Sequence, residues 1–348
     1  MLTNPKANHM EKDNYMIDYK HRQAGHCESG ATSNLFNFYG VSMSEPMAFG
    51  IGNGLFFSYL PFLKLQYAPM MSFRNLPNTV FHRSMKYLGV NATVIKSFKD
   101  PKESMAALDR NLEQGIPTGM QVGVFNLTFF PPEYRMHYNM HNLVAFGKEG
   151  DHYWVSDTVM EHPQKISYED LLRVRYAKGV FAPKGKMYWI NTMNKEMDIH
   201  SAVEKAIKKT VYEMMKVPFP LNGVKGIHWL ARDLKKWPKK HGNQTASFYL
   251  GQIIRMSEDF GTGGAGFRYI YGAFLKETGE KFNNPDLMEA SRLMGDAANR
   301  WREFTYMGAR NCKNRSKPEE DYGKLSEVLH EIADMEKAVY MKLDKLKM

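Results

Sequence analysis

Three residues of this 348-residue chain have the types and the chain order that nucleophilic acyl chemistry needs: Cys27, His141 and Asp157. A cysteine attacks a carbonyl carbon as its thiolate, and a helix N-terminus favours that form because unpaired backbone N–H groups and the macrodipole attract negative charge. Cys27 opens the run CESGATSNLFNFYG, which reads as a helix with Leu35, Phe36 and Tyr39 on one apolar face and Gly40 as its stop. A lone cysteine is more commonly a buried apolar residue. For chemistry it needs a base and a group that orients the base.

The segment HNLVAFGKEGDHYWVSD supplies both on one expected β-hairpin, its turn near Lys148 to Asp151. Pairing Gly147 with Tyr153 sets His141 opposite Val159 and diagonal to Asp157. A one-step shift of the turn sets His141 directly opposite Asp157, and cross-strand neighbours have Cβ atoms within about 5–8 Å. Their even separation keeps both on one sheet face in a regular hairpin, a reading that a bulge would break. Taken singly, an aspartate ending a strand and a histidine opening one are ordinary structural residues. Cysteine at a helix start, histidine at a strand start and aspartate at the next strand's end together follow the order of papain-like cysteine enzymes.

The elements around these residues are mixed in the first half of the chain. Helical segments are expected over Asn78 to Leu88 and Lys102 to Gln114, and strands over Thr93 to Lys96, Thr118 to Phe125, His141 to Phe146, Tyr153 to Asp157 and Met187 to Ile190. From Ile199 the pattern turns helical, with Ile199, Val203, Ile207 and Val211 four apart. Ile227, Leu230, Leu234 and Trp237 continue the pattern, and further helices fit Thr245 to Phe260, Gly266 to Thr278, Leu287 to Ala309 and Lys324 to Leu346. The fold class is α+β. We expect a papain-like catalytic domain with an antiparallel sheet over 1–195 and a mostly helical domain over 196–348.

Composition limits the partners. The polar N-terminal run has no apolar core, and no later stretch reaches the roughly 18 apolar residues of a membrane span. A cytoplasmic protein with no membrane span is expected. The two cysteines, Cys27 and Cys312, are too few for a disulfide scaffold and lack zinc-site spacing, so no metal is expected. The formal charge of +10 is concentrated over 201–250, where ten Lys and Arg face Glu204, Glu213 and Asp233. Such a surface attracts an acidic carrier protein, nucleic acid or an anionic membrane, unless it is only a solvated face. No nucleic-acid-binding motif is present.

Several runs carry less. FGIGNG, Phe49 to Gly54, lacks dinucleotide-binding spacing and suits a tight turn better than an approach to a pantetheine arm. GTGGAG before Phe267 fits either a phosphate-binding helix start or a flexible connection. Glu45 before Pro46 is explained by helix capping as well as by chemistry, and the 25 methionines suit either an acyl tunnel or ordinary packing.

The run HCESGATSNLFNFYG with SEPMAFGIGNGLFFSYLPF resembles the N-terminal domain of the butirosin biosynthesis protein H family. GVKGIHWLARDLKKWP and SEDFGTGGAGFRYIYGAFLKE resemble the helical domain that accompanies it, so the likeness runs from Gly25 to Trp301. It implies an acyltransferase of papain-like fold, related to bacteriocin-leader cysteine peptidases, that takes an acyl group from an acyl carrier protein thioester. Cys27 then matches the nucleophile, His141 the base and Asp157 the orienting acid. In the leader peptidases a glutamine precedes the cysteine by a few more residues than Gln23 does here. Gln23 and the backbone N–H of Cys27 are the oxyanion candidates.

The expected function is therefore transfer of an acyl group from a phosphopantetheine-bearing carrier, through a Cys27 acyl-enzyme, to an amine or hydroxyl of a small-molecule acceptor. No cofactor is expected on the protein itself. Lys205, Lys208, Lys209, Lys235, Lys236, Lys239 and Lys240 are the expected carrier-docking residues. The alternatives are a cysteine peptidase or amidase with the same triad, and a carrier-binding module in which Cys27 is idle.

Overall fold

A computed structural model of the chain describes residues 8–9, 14–65, 67–194, 196–259, 261–315 and 321–347. The break expected near residue 195 falls on a residue outside this set, as does the expected helix end at 260. The chain divides into two compact units. One comprises residues up to Ala48 and Val80–Asp198; the other comprises Phe49–Thr79 and the chain from Ile199 onward.

The first unit is α+β, built on an antiparallel sheet. Its central strand, His141–Glu149, pairs along one edge with Thr118–Val122 and Tyr15–Met16. Along the other edge it pairs with His152–Ser156, which Gln164–Ser167 extends. Beyond Thr118–Val122 lie Met187–Thr192 and then Asn91–Ile95. The residues from His141 to Gly147 are all buried, which is why they read as a near-continuous apolar run. Helix Cys27–Phe38 packs on this strand and buries Leu35, Phe36 and Tyr39 as its apolar face requires. The Tyr39 hydroxyl donates to the carbonyl of Ile190 at 2.9 Å and ties the helix to the sheet.

The hairpin carrying His141 turns at Gly150, where φ is +57° and a side chain would be strained. Val144 pairs with Ser156 and Ala145 with Val155, but from Gly147 to Glu149 the register steps by one, a bulge at Phe146. The expected Gly147–Tyr153 pair is thus replaced by Gly147–Trp154. The part of the ladder nearest His141 keeps the expected diagonal relation to Asp157.

The second unit joins a two-stranded hairpin, Leu55–Leu65 with Ala68–Arg74, to helices including Ile199–Val211, Gly223–Leu234, Asn243–Glu258, Arg268–Lys281, Pro285–Cys312 and Tyr322–Asp344. Linear reading assigns 49–79 to the first domain, whereas its partners here are C-terminal. Asn53 Nδ2 donates to the carbonyl of Ala206 at 3.0 Å and to Thr210 Oγ1 at 2.6 Å, and the Tyr59 hydroxyl donates to Asp233. Deep among the helices, Arg268 pairs with Glu336 at 2.9 Å, and Trp301 and Tyr340 donate to the same carboxylate. A buried charge needs such partners.

Two glycine runs resolve into backbone geometry. Helix Glu45–Ile51 takes in the first half of FGIGNG, and Gly52 and Asn53, the latter at φ +52°, make a tight turn before the strand at Leu55. In GTGGAG the N–H of Gly264 donates to Thr262 Oγ1 and that of Ala265 to Glu258 Oε1. Those two N–H groups are already occupied by the protein's own acceptors.

Candidate active site

Cys27 is the first residue of its helix, as its sequence context requires. His26 is the N-cap and accepts from the N–H of Ser29 through its Nδ1. The His26 ring is thereby committed to the cap. The turn ahead of Cys27 is gripped by Glu45: its Oε2 accepts from the N–H of Gly25 at 2.9 Å, and its Oε1 accepts from the N–H of His26 at 2.7 Å and Ser29 Oγ at 3.1 Å. Burial raises the Glu45 carboxyl above its ordinary range, and these three donors pull it back down. Glu28, fully buried beside Cys27, accepts from the N–H groups of Val80 and Phe81 at the start of helix Thr79–Leu88.

His141 and Asp157 meet through His141 Nε2 and Asp157 Oδ2 at 2.6 Å, both side chains almost wholly buried. The second carboxylate oxygen accepts from the N–H of Val159 at 3.3 Å, so the aspartate is held from both sides. With Nε2 committed to Asp157, Nδ1 is the nitrogen left for the sulfur, and the ring interacts with Cys27 as well. Burial by itself would lower the His141 pKa; the charges of Asp157 and the Cys27 sulfur, with hydrogen bonds to both, outweigh it and raise the imidazole well above its ordinary value. Phe130 meets this ring edge-to-face, with centroids 5.4 Å apart.

The backbone brings the turn before Cys27 to the turn after Asp157 directly. The N–H of Ala24 donates to the carbonyl of Thr158 at 2.8 Å. His21 bridges Ser156 Oγ and the carbonyl of Met160. Gly30 makes this approach possible, since a Cβ there would stand 2.5 Å from the Cβ of Ala24 and 2.7 Å from Thr158 Oγ1.

Residues 169–343, half of the chain, match the family described as Domain of unknown function (DUF4872). The chain belongs to that family. Residues 26–158 match the family described as Butirosin biosynthesis protein H, N-terminal, so the first unit is similar to that domain over most of its length. The crystal structure of a C39-like peptidase from Bacillus anthracis is similar at a TM-score of 0.36 and 12% identity, over 53% of this chain and 100% of that one. No curated protein matches the chain.

Within the first unit the other expected residues divide. Gln23 is exposed on the segment before the helix, and no hydrogen bond among the described residues links it to Cys27, His141 or Asp157. What lies beside the sulfur instead is Asn142, whose Nδ2 is 4.0 Å from Cys27 Sγ and whose Oδ1 accepts from the Tyr188 hydroxyl at 3.1 Å. A polar residue inside an otherwise apolar buried strand was the available sequence signal for it. Among the described residues, no group of His, Cys, Asp and Glu is arranged to hold a metal. Nor is any described helix long and apolar enough to cross a membrane.

Proposed function

We propose that this protein is a cysteine acyltransferase that moves an acyl group from an acyl carrier protein thioester, by way of a Cys27 acyl-enzyme, to an amine or hydroxyl of a small molecule. The observation that carries this reading is the His141 ring, held by Asp157 at 2.6 Å and interacting with a cysteine at a helix N-terminus. The match to a biosynthesis protein supports synthesis rather than degradation.

In the first half-reaction the Cys27 thiolate attacks the thioester carbonyl, and the pantetheine sulfur leaves with the proton of the His141 imidazolium. One thioester replaces another, so the step is close to isoenergetic. In the second, the acceptor attacks the acyl-enzyme carbonyl and gives its proton to His141 while Cys27 departs as thiolate. Asp157 keeps the ring turned so that Nδ1 serves both steps. The backbone N–H of Cys27, first in its helix, is the main-chain donor for the oxyanion.

Intact-mass spectrometry after mixing with an acyl carrier thioester tests this. The expected result is one acyl mass on the protein, lost in Cys27→Ala and kept in Cys312→Ser, and discharged to an amine acceptor faster than to water. Discharge to water alone would make the protein a hydrolase. An unchanged transferase rate in Cys27→Ala would end the proposal.

A further inference from the structure

Asn142 and Tyr188 form a polar pair inside the first unit's core, at 0% exposure each. Packing gives no reason for the Tyr188 hydroxyl, since its ring packs at a tilt against Phe81 at 4.4 Å between centroids and a phenylalanine would fill that place. The orientation of the Asn142 amide follows from its partners. Oδ1 accepts from the Tyr188 hydroxyl at 3.1 Å, and Nδ2 donates to the carbonyl of Met140 at 3.3 Å. Turned over, the amide would set its oxygen against that carbonyl oxygen.

The same Met140 carbonyl lies 3.9 Å from Cys27 Sγ and accepts from the thiol. Once the proton leaves, that oxygen faces a negative sulfur and repels it. The two hydrogens of Asn142 Nδ2 answer both needs: one satisfies the Met140 oxygen, and the other faces the sulfur at 4.0 Å. Resting on the reading of Cys27 as a nucleophile, we infer that Asn142, fixed by Tyr188, is a further catalytic residue that donates to the Cys27 sulfur and holds its negative charge. His141 stabilises the thiolate as a counter-ion; Asn142 does so as a neutral donor that keeps its proton throughout the cycle. Tyr188 is the positioning residue of this pair.

The test is alkylation of Cys27 by iodoacetamide in the full chain carrying Cys312→Ser, so that one thiol reacts. Asn142→Ala should slow alkylation about tenfold near pH 7, in line with the loss of one donor to a charged group. The deficit should close near pH 10, where an ordinary thiol of pKa about 8.5 is ionised in any case. Tyr188→Phe should give a smaller deficit with the same pH pattern, and it carries the test if Asn142→Ala does not fold by circular dichroism. Equal rates at neutral pH, or a deficit of the same size at both pH values, would overturn the inference. No acyl donor is used, so a pH-dependent effect of Asn142 in a protein that forms no acyl adduct would refute acyl transfer and leave this inference intact.

Discussion

His141 is a buried imidazole whose pKa is nonetheless raised, because Asp157 and the Cys27 sulfur supply more than burial removes. Asp157→Asn deletes the charge and leaves the shape. The ring then faces an amide and loses the charge that opposed burial, and with it, in the proposed mechanism, the imidazolium that protonates the leaving thiol. We expect turnover to fall by roughly 10³–10⁴-fold, measured as acyl transfer to a saturating acceptor. The same pair ties stability to pH with a definite sign. A histidine whose folded pKa is raised contributes stability that is complete below its unfolded value, about 6.5, and is lost as pH rises through the folded value. The thermal midpoint of the native protein should therefore exceed that of Asp157→Asn most below about pH 6.5, with the gap narrowing only as pH rises through the raised folded value. Parallel curves over that range would show that the pair does not titrate in this way.

At the scale of elements, the turns that carry Cys27 and Asp157 are joined by one backbone hydrogen bond and by the close contact that Gly30 permits. Gly30→Ala should destabilise the protein by about 1–3 kcal/mol through overpacking, read from the denaturant midpoint. It should also lower turnover, since Ala24 and Thr158 flank the two reacting turns. Stability equal to that of the native protein would show that these turns can separate at no cost. Much of this frame was legible in the sequence. The helix at Cys27, the strand at His141 and the strand ending before Asp157 are long, strongly patterned and bounded by glycine or turn residues. The hairpin Leu55–Leu65 with Ala68–Arg74 was not, because its register shifts between Leu60 and Lys64, around Pro61, and breaks the alternation that marks a strand. Helix Tyr168–Arg175 escaped for another reason: its eight residues bury only Leu171, Val174 and Arg175, too short a stripe to show helical periodicity. The partners that set Glu45 beside the Cys27 turn and Asn142 beside the sulfur lie 16 to 115 residues away, so their positions were not legible, although a polar residue in an apolar strand marked Asn142 as unusual.

For the whole molecule the charge asymmetry is the property to test. The excess of positive charge over 201–250 belongs to the second unit, on two sites of different character. On helix Ile199–Val211, Lys208 pairs with Glu204 at 2.5 Å and Lys209 with Glu213 at 3.1 Å, so Lys205 is the least neutralised of the three. Lys235 and Lys236 precede the short helix Trp237–His241, Lys239 and Lys240 lie within it, and all four are exposed. An acidic carrier would be drawn more strongly to the second cluster, because exposed charges already paired on their own helix offer little field beyond it. Reversing Lys235, Lys236, Lys239 and Lys240 to Glu should raise the KM for a carrier-bound donor at least tenfold and leave a short soluble thioester donor almost unaffected. The same change at Lys208 and Lys209 should have a smaller effect. Added salt should mimic the first set, since exposed charges are screened over about 8 Å at physiological ionic strength. Equal losses with both donors would place these lysines in the folding or chemistry of the protein, and no loss with either would make this charge a solvated face with the carrier docking elsewhere.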